Sequence, residues 1–350
     1  MADLLDLAAE LVDIPSVSHH EAAISDHIAG VLAPVPWLEL TRVGHNLVAS
    51  TRLGRPERLV LAGHLDTVPP SGNQRARIDG DVLWGLGAAD MKGGVAVLVE
   101  LARSVIAPAV DVTYVFYECE EVESRFNGIE RLFQERPDLM EADAAVLAEP
   151  TAGRVEAGCQ GTMRVDVGIV GTRAHSARGW KGRNAIHRLA PLLDVLAAYE
   201  GRRVVLDGCE FREGLQAVRV SGGVADNVVP DLAVLTLNHR FAPDRTPEDA
   251  ETHVREVLGS VDRFEVVDCS PAAAPSLDHP LLRALLVLTG QGPRAKLGWT
   301  DVARFAARGI PATNFGPGDP NVAHSVDEQL TRSDVDNAYR VLLSLLHMER

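Results

Sequence analysis

No stretch of this 350-residue chain approaches the ~18 consecutive apolar residues of a membrane-spanning helix. Its first residues, MADLLDLAAELVDI, carry acids where an export signal carries bases. Their apolar positions recur at helical spacing, so they read as a surface helix. Basic residues are in short supply: 34 lysines and arginines face 49 aspartates and glutamates, for a formal net charge of −15. That balance speaks against an electrostatic nucleic-acid binder and offers no basic membrane patch. Cysteine is scarce as well. Cys119, Cys159, Cys209 and Cys269 form no CxxC pair, which removes a zinc finger and suits reduced thiols in a cytoplasmic protein. No internal repeat or low-complexity tract stands out, and no G-x-x-x-x-G-K-[ST] phosphate loop is present.

What the chain does have is a 46% hydrophobic content, ample for a large core and for two domains. Ser18 and Glu21 have the spacing of a capping box before a helix running toward Leu32. Strands are expected around 46–51 and 58–62, and GGVAVLVELARSV predicts a helix from about Gly93. DVTYVFYE and AAVLAEP are further β-rich runs. Short apolar strands alternating with amphipathic helices predict an α/β domain with a mainly parallel sheet. After about Gly161 the texture changes. TMRVDVGIVG alternates apolar and polar residues, a helix is expected from about Asn184 to Tyr199, and LQAVRVSGG and LAVLTLNHRF read as strands. Thr246-Pro247 opens another helix. Together these make a small α+β unit. The Pro/Ala-rich segment 270–277 reads as a hinge, after which the α/β texture returns. The expected organisation is a discontinuous domain, 1–160 and 275–350, with residues 161–274 inserted.

Five short segments carry candidate chemistry. In RLVLAGHLDTV, His64 and Asp66 are two apart and point the same way on a strand, as a metal ligand and its orienting carboxylate would. A solvated pair at a strand end has the same spacing. WGLGAADMKGG contains G-x-G-x-x-D, with Asp90 where a dinucleotide fingerprint has its third glycine. A carboxylate there repels a pyrophosphate. It could bridge two cations or simply cap a helix. YECEEVE crowds Glu118, Glu120, Glu121 and Glu123 at the end of an apolar strand, where open α/β sheets place their functional crevice; a solvated acidic turn is the plainer alternative. Glu149 in VLAEPT also follows an apolar strand, and His324 in NVAHSVDE sits in a loop after FGPGDP.

In this order the segments resemble the di-zinc aminoacylase/carboxypeptidase-type amidohydrolases, with GHLDTVP and GxGxxDMKGG the most specific matches. The resemblance implies a zinc-exopeptidase-like α/β catalytic domain with an inserted dimerisation, or lid, domain, and hence a homodimer. It implies two Zn²⁺ per subunit, with Co²⁺ able to substitute. His64 and Glu149 would hold one ion, Glu121 and His324 the other, and Asp90 both. Asp66 would orient His64, and Glu120 would be the general acid/base. His175, in GTRAHSARG, would stand near the scissile carbonyl, often supplied by the partner subunit. Two Zn²⁺ carry +4 against −3 from Asp90, Glu121 and Glu149, an environment that lowers the pKa of water toward ~7.

The phrases YECEEVE and HSARGWKG are most similar to the desuccinylase branch of the family, which acts on a small N-acyl amino acid substrate, N-succinyl-LL-2,6-diaminopimelate. That polyanion calls for arginine and amide partners. The resemblance points to Arg240 in LNHRFAPD, Asn227 in GGVADNVVPD and Thr300 in GWTDVARF. Consecutive arginines usual in that branch are replaced here by Cys159-Gln160, with Arg178, Lys181 or Arg183 as possible substitutes. Three alternatives remain open: an acetylornithine deacetylase or related N-acyl-amino-acid deacylase or carboxypeptidase, a non-catalytic binding protein on the same fold, and a nucleotide-binding enzyme suggested by Gly85 and Gly87.

Overall fold

A computed structural model describes residues 3–348, so the ends of the chain, including the first two residues of the expected N-terminal helix, lie outside the described residues. The chain divides into two compact units. One gathers the chain up to Gly158 with Pro275–Arg294 and the stretch from Asp301 onward; the other comprises Cys159–Ala274 and Ala295–Thr300.

The first unit is built on a mixed sheet. From one edge the first seven of its eight strands are Glu39–Val43, Asn46–Ser50, Asp111–Tyr117, Arg58–His64, Ala144–Leu147, Ala312–Asn314 and Glu156–Ala157. The central four strands are mutually parallel, and the flanking strands run antiparallel. The central strands are continuous apolar runs because both faces are covered: every residue of Asp111–Tyr117 and of Ala144–Leu147 is buried. Asp111 is the charged exception, and it accepts Thr51 Oγ1 (2.8 Å), Leu53 N (2.8 Å) and Arg55 N (2.9 Å). The helix Gly93–Ser104 is buried along ten of its residues and packs between Leu4–Val12 and Arg332–His347. A Cβ at Gly94 would lie 2.2 Å from the Ala148 carbonyl oxygen, so only glycine lets this helix approach that strand end. No helix among the described residues is long and apolar enough to cross a membrane.

The second unit is an antiparallel sheet in the order Gly214–Gly222, Leu232–Phe241, Gly161–Val170 and Arg263–Ser270. Met163, Val165, Val167 and Ile169 alternate inward along one strand and form a core with Leu192 and Leu196 of the helix Ala190–Ala197 and Ala250, Val254 and Leu258 of the helix Pro247–Leu258. Thr246 caps the latter helix in a reciprocal box with Asp249. The α/β class with an α+β unit within it is as the sequence pattern implied.

Two local expectations are corrected, and one element is added. Ser18 and Glu21 do not form a capping box: the helix Ala22–Leu32 has no side-chain cap, and both residues are engaged elsewhere. The helix expected from Asn184 starts as α-helix only at Ala190. Asn184 Oδ1 accepts Ile186 N (2.9 Å) and His187 N (3.2 Å), holding a turn there, and Pro191 is placed in the first helical turn. The hairpin Arg203–Leu206 with Cys209–Arg212 went unforeseen, although its Asp207-Gly208 turn, both residues at positive φ, is a strong hairpin signal.

Candidate metal centre

Three neighbouring parallel strands end together in the first unit. His64 closes one, and its register partner Tyr117 closes the next, immediately before Glu118 to Glu121. Glu149 follows the third, Ala144–Leu147. Loops at the carboxyl ends of parallel strands are where an α/β sheet can present side chains without disturbing its ladder. Asp90 arrives from the turn ahead of the helix Gly93–Ser104, with non-helical backbone (φ −120°, ψ 93°); Lys92 holds the N-cap position of that helix, so Asp90 is no N-cap. His324 comes from the loop after the short turn Pro320–Val322, at a positive φ of 61°.

The side chains converge. His64 Nε2 lies 3.1 Å from Asp90 Oδ1, and His324 Nε2 lies 3.5 Å from Asp90 Oδ2 and 2.7 Å from Glu121 Oε1. Ligand atoms of His64, Asp90 and Glu121 all lie within 4.8 Å of one another. Asp90 thus turns one oxygen to each imidazole, the disposition of a bridging carboxylate. Glu149 is buried, and its charge acts on Glu120 and Tyr117.

Electrostatics follow from this crowding. Burial pushes Glu120 well above the usual carboxyl range; His64 opposes this, and the charges of Glu149, Asp301 and Glu121 reinforce it. Hydrogen bonds to Asp90 and Glu121 raise His324 to about 10. Burial disfavours charge on His64, but Asp66 and Asp90 outweigh it and hold its pKa well above 6.5. Carboxylates that draw protons onto two imidazoles are carboxylates that demand positive charge. A donor set of imidazole and carboxylate without thiolate suits Zn²⁺ or a similar borderline cation, so the residues fit a metal pair.

The hydrogen bonds define which nitrogen can bind metal. His64 Nδ1 donates to the Asp66 main-chain oxygen (3.0 Å), so Nε2, which faces Asp90, is the nitrogen that a metal would take in place of a proton. The Asp66 carboxylate stands 3.6 Å from the same Nδ1, and it also accepts Glu120 N (2.9 Å), Glu121 N (3.0 Å) and Ser18 Oγ (2.7 Å). These partners, with His64, hold it below its ordinary range against burial. One residue earlier, Cys119 adopts φ 59°, and its N–H goes to Glu21 Oε1 at 3.1 Å. Three successive N–H groups, of residues 119, 120 and 121, are therefore held by buried carboxylates. Ser18 and Glu21 escaped the sequence reading because S-x-x-E also spells a capping box. Glu118, by contrast, is structural, accepting Asn46 Nδ2 and Arg131 Nη1, both at 3.2 Å.

The remaining candidates lie in the second unit. His175 and Asn227 are brought together: His175 pairs with Val228 across a two-residue ladder, and Ser176 N donates to Asn227 O at 2.8 Å. Both are exposed, as is Arg178. His175 Nδ1 accepts Ala177 N (3.1 Å), so its proton resides on Nε2. Beside them is a cavity of about 680 Å³ lined by Ser176, Asn184, His187, Asp226 and Val229. Arg240 is half-buried, with Nε donating to Asn238 Oδ1 (3.2 Å), and Thr300 is buried. Gln160 spends its amide on the Arg212 carbonyl (2.7 Å), and the Cys159 thiol faces the Thr300 carbonyl at 3.7 Å. That pair presents no cation. Lys181 and Arg183 are exposed.

Comparison with known proteins is consistent with this geometry. The model of peptidase family M20/M25/M40 matches residues 60–348. A Mycobacterium tuberculosis protein provisionally named succinyl-diaminopimelate desuccinylase DapE is 52% identical over 342 residues, covering 97% of each chain. The succinyl-diaminopimelate desuccinylase of Corynebacterium glutamicum is 42% identical over 356 residues, covering 99% of this chain and 96% of that one. Among solved structures, the aminopeptidase PepT of Bacillus cereus shares the fold with a TM-score of 0.78 at 18% identity, over 98% of this chain and 97% of that one.

Proposed function

The chain belongs to peptidase family M20/M25/M40, and from that premise we propose that it is a succinyl-diaminopimelate desuccinylase, releasing succinate and LL-2,6-diaminopimelate for lysine and cell-wall precursor synthesis. It is a metal-dependent hydrolase of amide bonds. The observation that carries the metal reading is Asp90, with one oxygen toward His64 and the other toward His324. Identity to the named relatives along nearly the whole chain supports the choice of substrate.

In this reading His64 and Glu149 would hold one Zn²⁺, Glu121 and His324 a second, and Asp90 would serve both, with Co²⁺ able to replace zinc; such cations, when bound, would supply polarisation of the amide carbonyl and a lowered pKa of water. Glu120, next in chain to a metal ligand, takes a proton from the attacking water and hands it to the leaving amine. Its raised pKa, from burial among Glu149, Asp301 and Glu121, suits a group that must both accept and return a proton. Asp66 holds Glu120 and Glu121 in register through their N–H groups. We assign to His175, whose Nδ1 is already engaged, donation of Nε2–H to the developing oxyanion, within its own subunit or across to the partner. Arg240, Asn227, Thr300 and Arg178 are the proposed contacts of the substrate, which carries about three carboxylates and one ammonium near neutral pH.

A homodimer through the second unit and a cytoplasmic location complete the proposal. The edge strand Gly214–Gly222 exposes Val218 (57%) and Val220 (60%), the pattern of an edge that a second copy can cover. All four cysteines are free thiols, as suits a reducing compartment.

One observation favours a related deacylase: Cys159 and Gln160 are consumed inside the second unit, so that segment offers a succinyl carboxylate no cation. The test is a substrate panel on zinc-loaded protein with metal analysis in parallel. N-succinyl-LL-2,6-diaminopimelate should exceed N²-acetylornithine and dipeptides in kcat/KM by at least about tenfold, a difference of ~1.4 kcal/mol. Acetylornithine as much the better substrate would sink the desuccinylase reading.

A further inference from the structure

Glu328 closes the segment NVAHSVDE that supplies His324, yet it has no role in the site described above. It is 1% exposed, and it gathers four main-chain donors from the loop that carries Asp90. Its Oε2 accepts Gly87 N (2.9 Å), its Oε1 accepts Ala89 N (3.0 Å) and Asp90 N (3.0 Å), and its own carbonyl oxygen accepts Gly85 N (3.1 Å). The loop is irregular: Gly87 is left-handed (φ 78°), and Asp90 and Met91 depart from helical geometry. Its N–H groups therefore have no helix or sheet ladder to satisfy them. An inward N–H left unpaired forfeits its bond to water without a replacement, so the carboxylate selects this loop conformation over its alternatives.

The placement of Glu328 is itself set by two features. The strand Gln329–Thr331 begins at the next residue and pairs with Val82–Trp84 just ahead of the Gly85–Asp90 loop. Four residues earlier the same segment supplies His324, whose Nε2 faces Asp90 Oδ2 at 3.5 Å. One short stretch of chain thus carries a candidate ligand of one ion and holds the backbone of the candidate that bridges both. The buried Lys92, two residues beyond Asp90, places a positive charge near the Glu328 carboxylate and anchors its own Nζ on Ile14 O at 2.8 Å.

We propose that Glu328 is the positioning residue for Asp90: its carboxylate, bound to the N–H groups of residues 87, 89 and 90, sets the Asp90 side chain between the two imidazoles and so tunes the affinity of the metal pair. The inference rests on the metal reading of this site. It differs from a folding role in what it predicts. A purely structural Glu328 lowers apo stability and leaves the folded protein's metal affinity untouched; a positioning Glu328 changes the affinity itself.

The experiment titrates Zn²⁺ into metal-free wild type, Glu328→Gln and, as a control on the same segment, the exposed Asp327→Asn, with the apo Tm of each measured alongside. Glutamine keeps the shape but turns an N–H toward donors. Glu328→Gln should bind Zn²⁺ about 10- to 100-fold more weakly than wild type, and Asp327→Asn should match wild type. Wild-type affinity for both equivalents in folded Glu328→Gln overturns the inference. Failure of the wild type itself to bind two Zn²⁺ instead overturns the metal reading. If Glu328→Gln does not fold, Glu328→Asp carries the test, because it keeps the charge but shortens the reach by one methylene. It too must lose Zn²⁺ affinity, and wild-type binding by that variant overturns the inference.

Discussion

The turn at residues 119–121 in the first unit and the segment at 174–178 in the second both present candidate catalytic groups, but they are held in opposite ways. In the first, each N–H is bound by a buried carboxylate, and the side chains of Glu120 and Glu121 are partly buried among other acids. In the second, His175 and Arg178 stand in solvent on a two-residue strand and an irregular turn. The difference separates two tasks. A metal centre needs its ligands fixed before the ion arrives, since every degree of freedom left open weakens binding. Groups that contact only a transient substrate can be left exposed and complete their geometry when it binds. The second unit is not loose throughout. Its own buried carboxylate, Glu213, accepts Arg202 Nη2 (2.9 Å) and Ala242 N (3.0 Å) and lies 3.1 Å from Arg245 Nε, but these contacts tie framework segments and no candidate site group.

The largest expected effect tests the fixed turn. Glu120→Gln should lower kcat by about 10³-fold, ~4 kcal/mol, with metal content unchanged by elemental analysis. Near-normal turnover with both metals bound would remove Glu120 from the chemistry. Next is the exposed segment: His175→Ala should lower kcat by about 10²-fold with a smaller change in KM. An unchanged kcat would place the second unit outside the reaction and reduce it to a scaffold. The smallest effect concerns the framework. Glu213→Gln should cost roughly 2 kcal/mol of stability in thermal melts while the folded enzyme keeps its kcat. This effect depends on pH with a definite sign. Burial alone would raise Glu213, but hydrogen bonds from Arg202 and Ala242 and the charge of Arg245 hold it below 4.5. A depressed folded pKa stabilises above the ordinary value and is lost as pH falls through the folded one. Wild type should therefore lose its advantage over Glu213→Gln below about pH 4.5; a constant difference across that range would show that the loss is one of packing and not of charge.

Much of the frame is legible in the sequence. The runs at 58–62 and 111–117 are strands because apolar continuity has few other uses at that length, and Thr246-Pro247 starts a helix because both residues are suited to its first turn. His64, Asp90, Glu121 and His324 were also named from short motifs whose chain order resembles one family. Less legible were residues whose partners are distant in sequence. Ser18 reaches Asp66 across 48 residues and Glu21 reaches Cys119 across 98, while S-x-x-E has a local use that masked both. Asp66 meets His64 with its carbonyl oxygen as well as its carboxylate, and a two-residue spacing cannot say how the two oxygens share the imidazole. The truncated helix before Ala190 shows the reverse case: a local Asn184 bond overrode an apolar pattern that continued through it.

The sequence by itself determined the class of fold, the alternation of strand and helix and the chemistry of the donor set, since these depend on residue type and on spacings within a few turns of chain. Only the tertiary structure decided which carboxylates hold the site and which merely surround it. Glu118, Glu328, Asp66 and Glu21 are all acids near candidate ligands, and one-dimensional spacing treats them alike. Their roles diverge because hydrogen-bond donors orphaned by irregular loops must find acceptors wherever the packed chain brings them, and that meeting exists only once residues hundreds of positions apart share one interior.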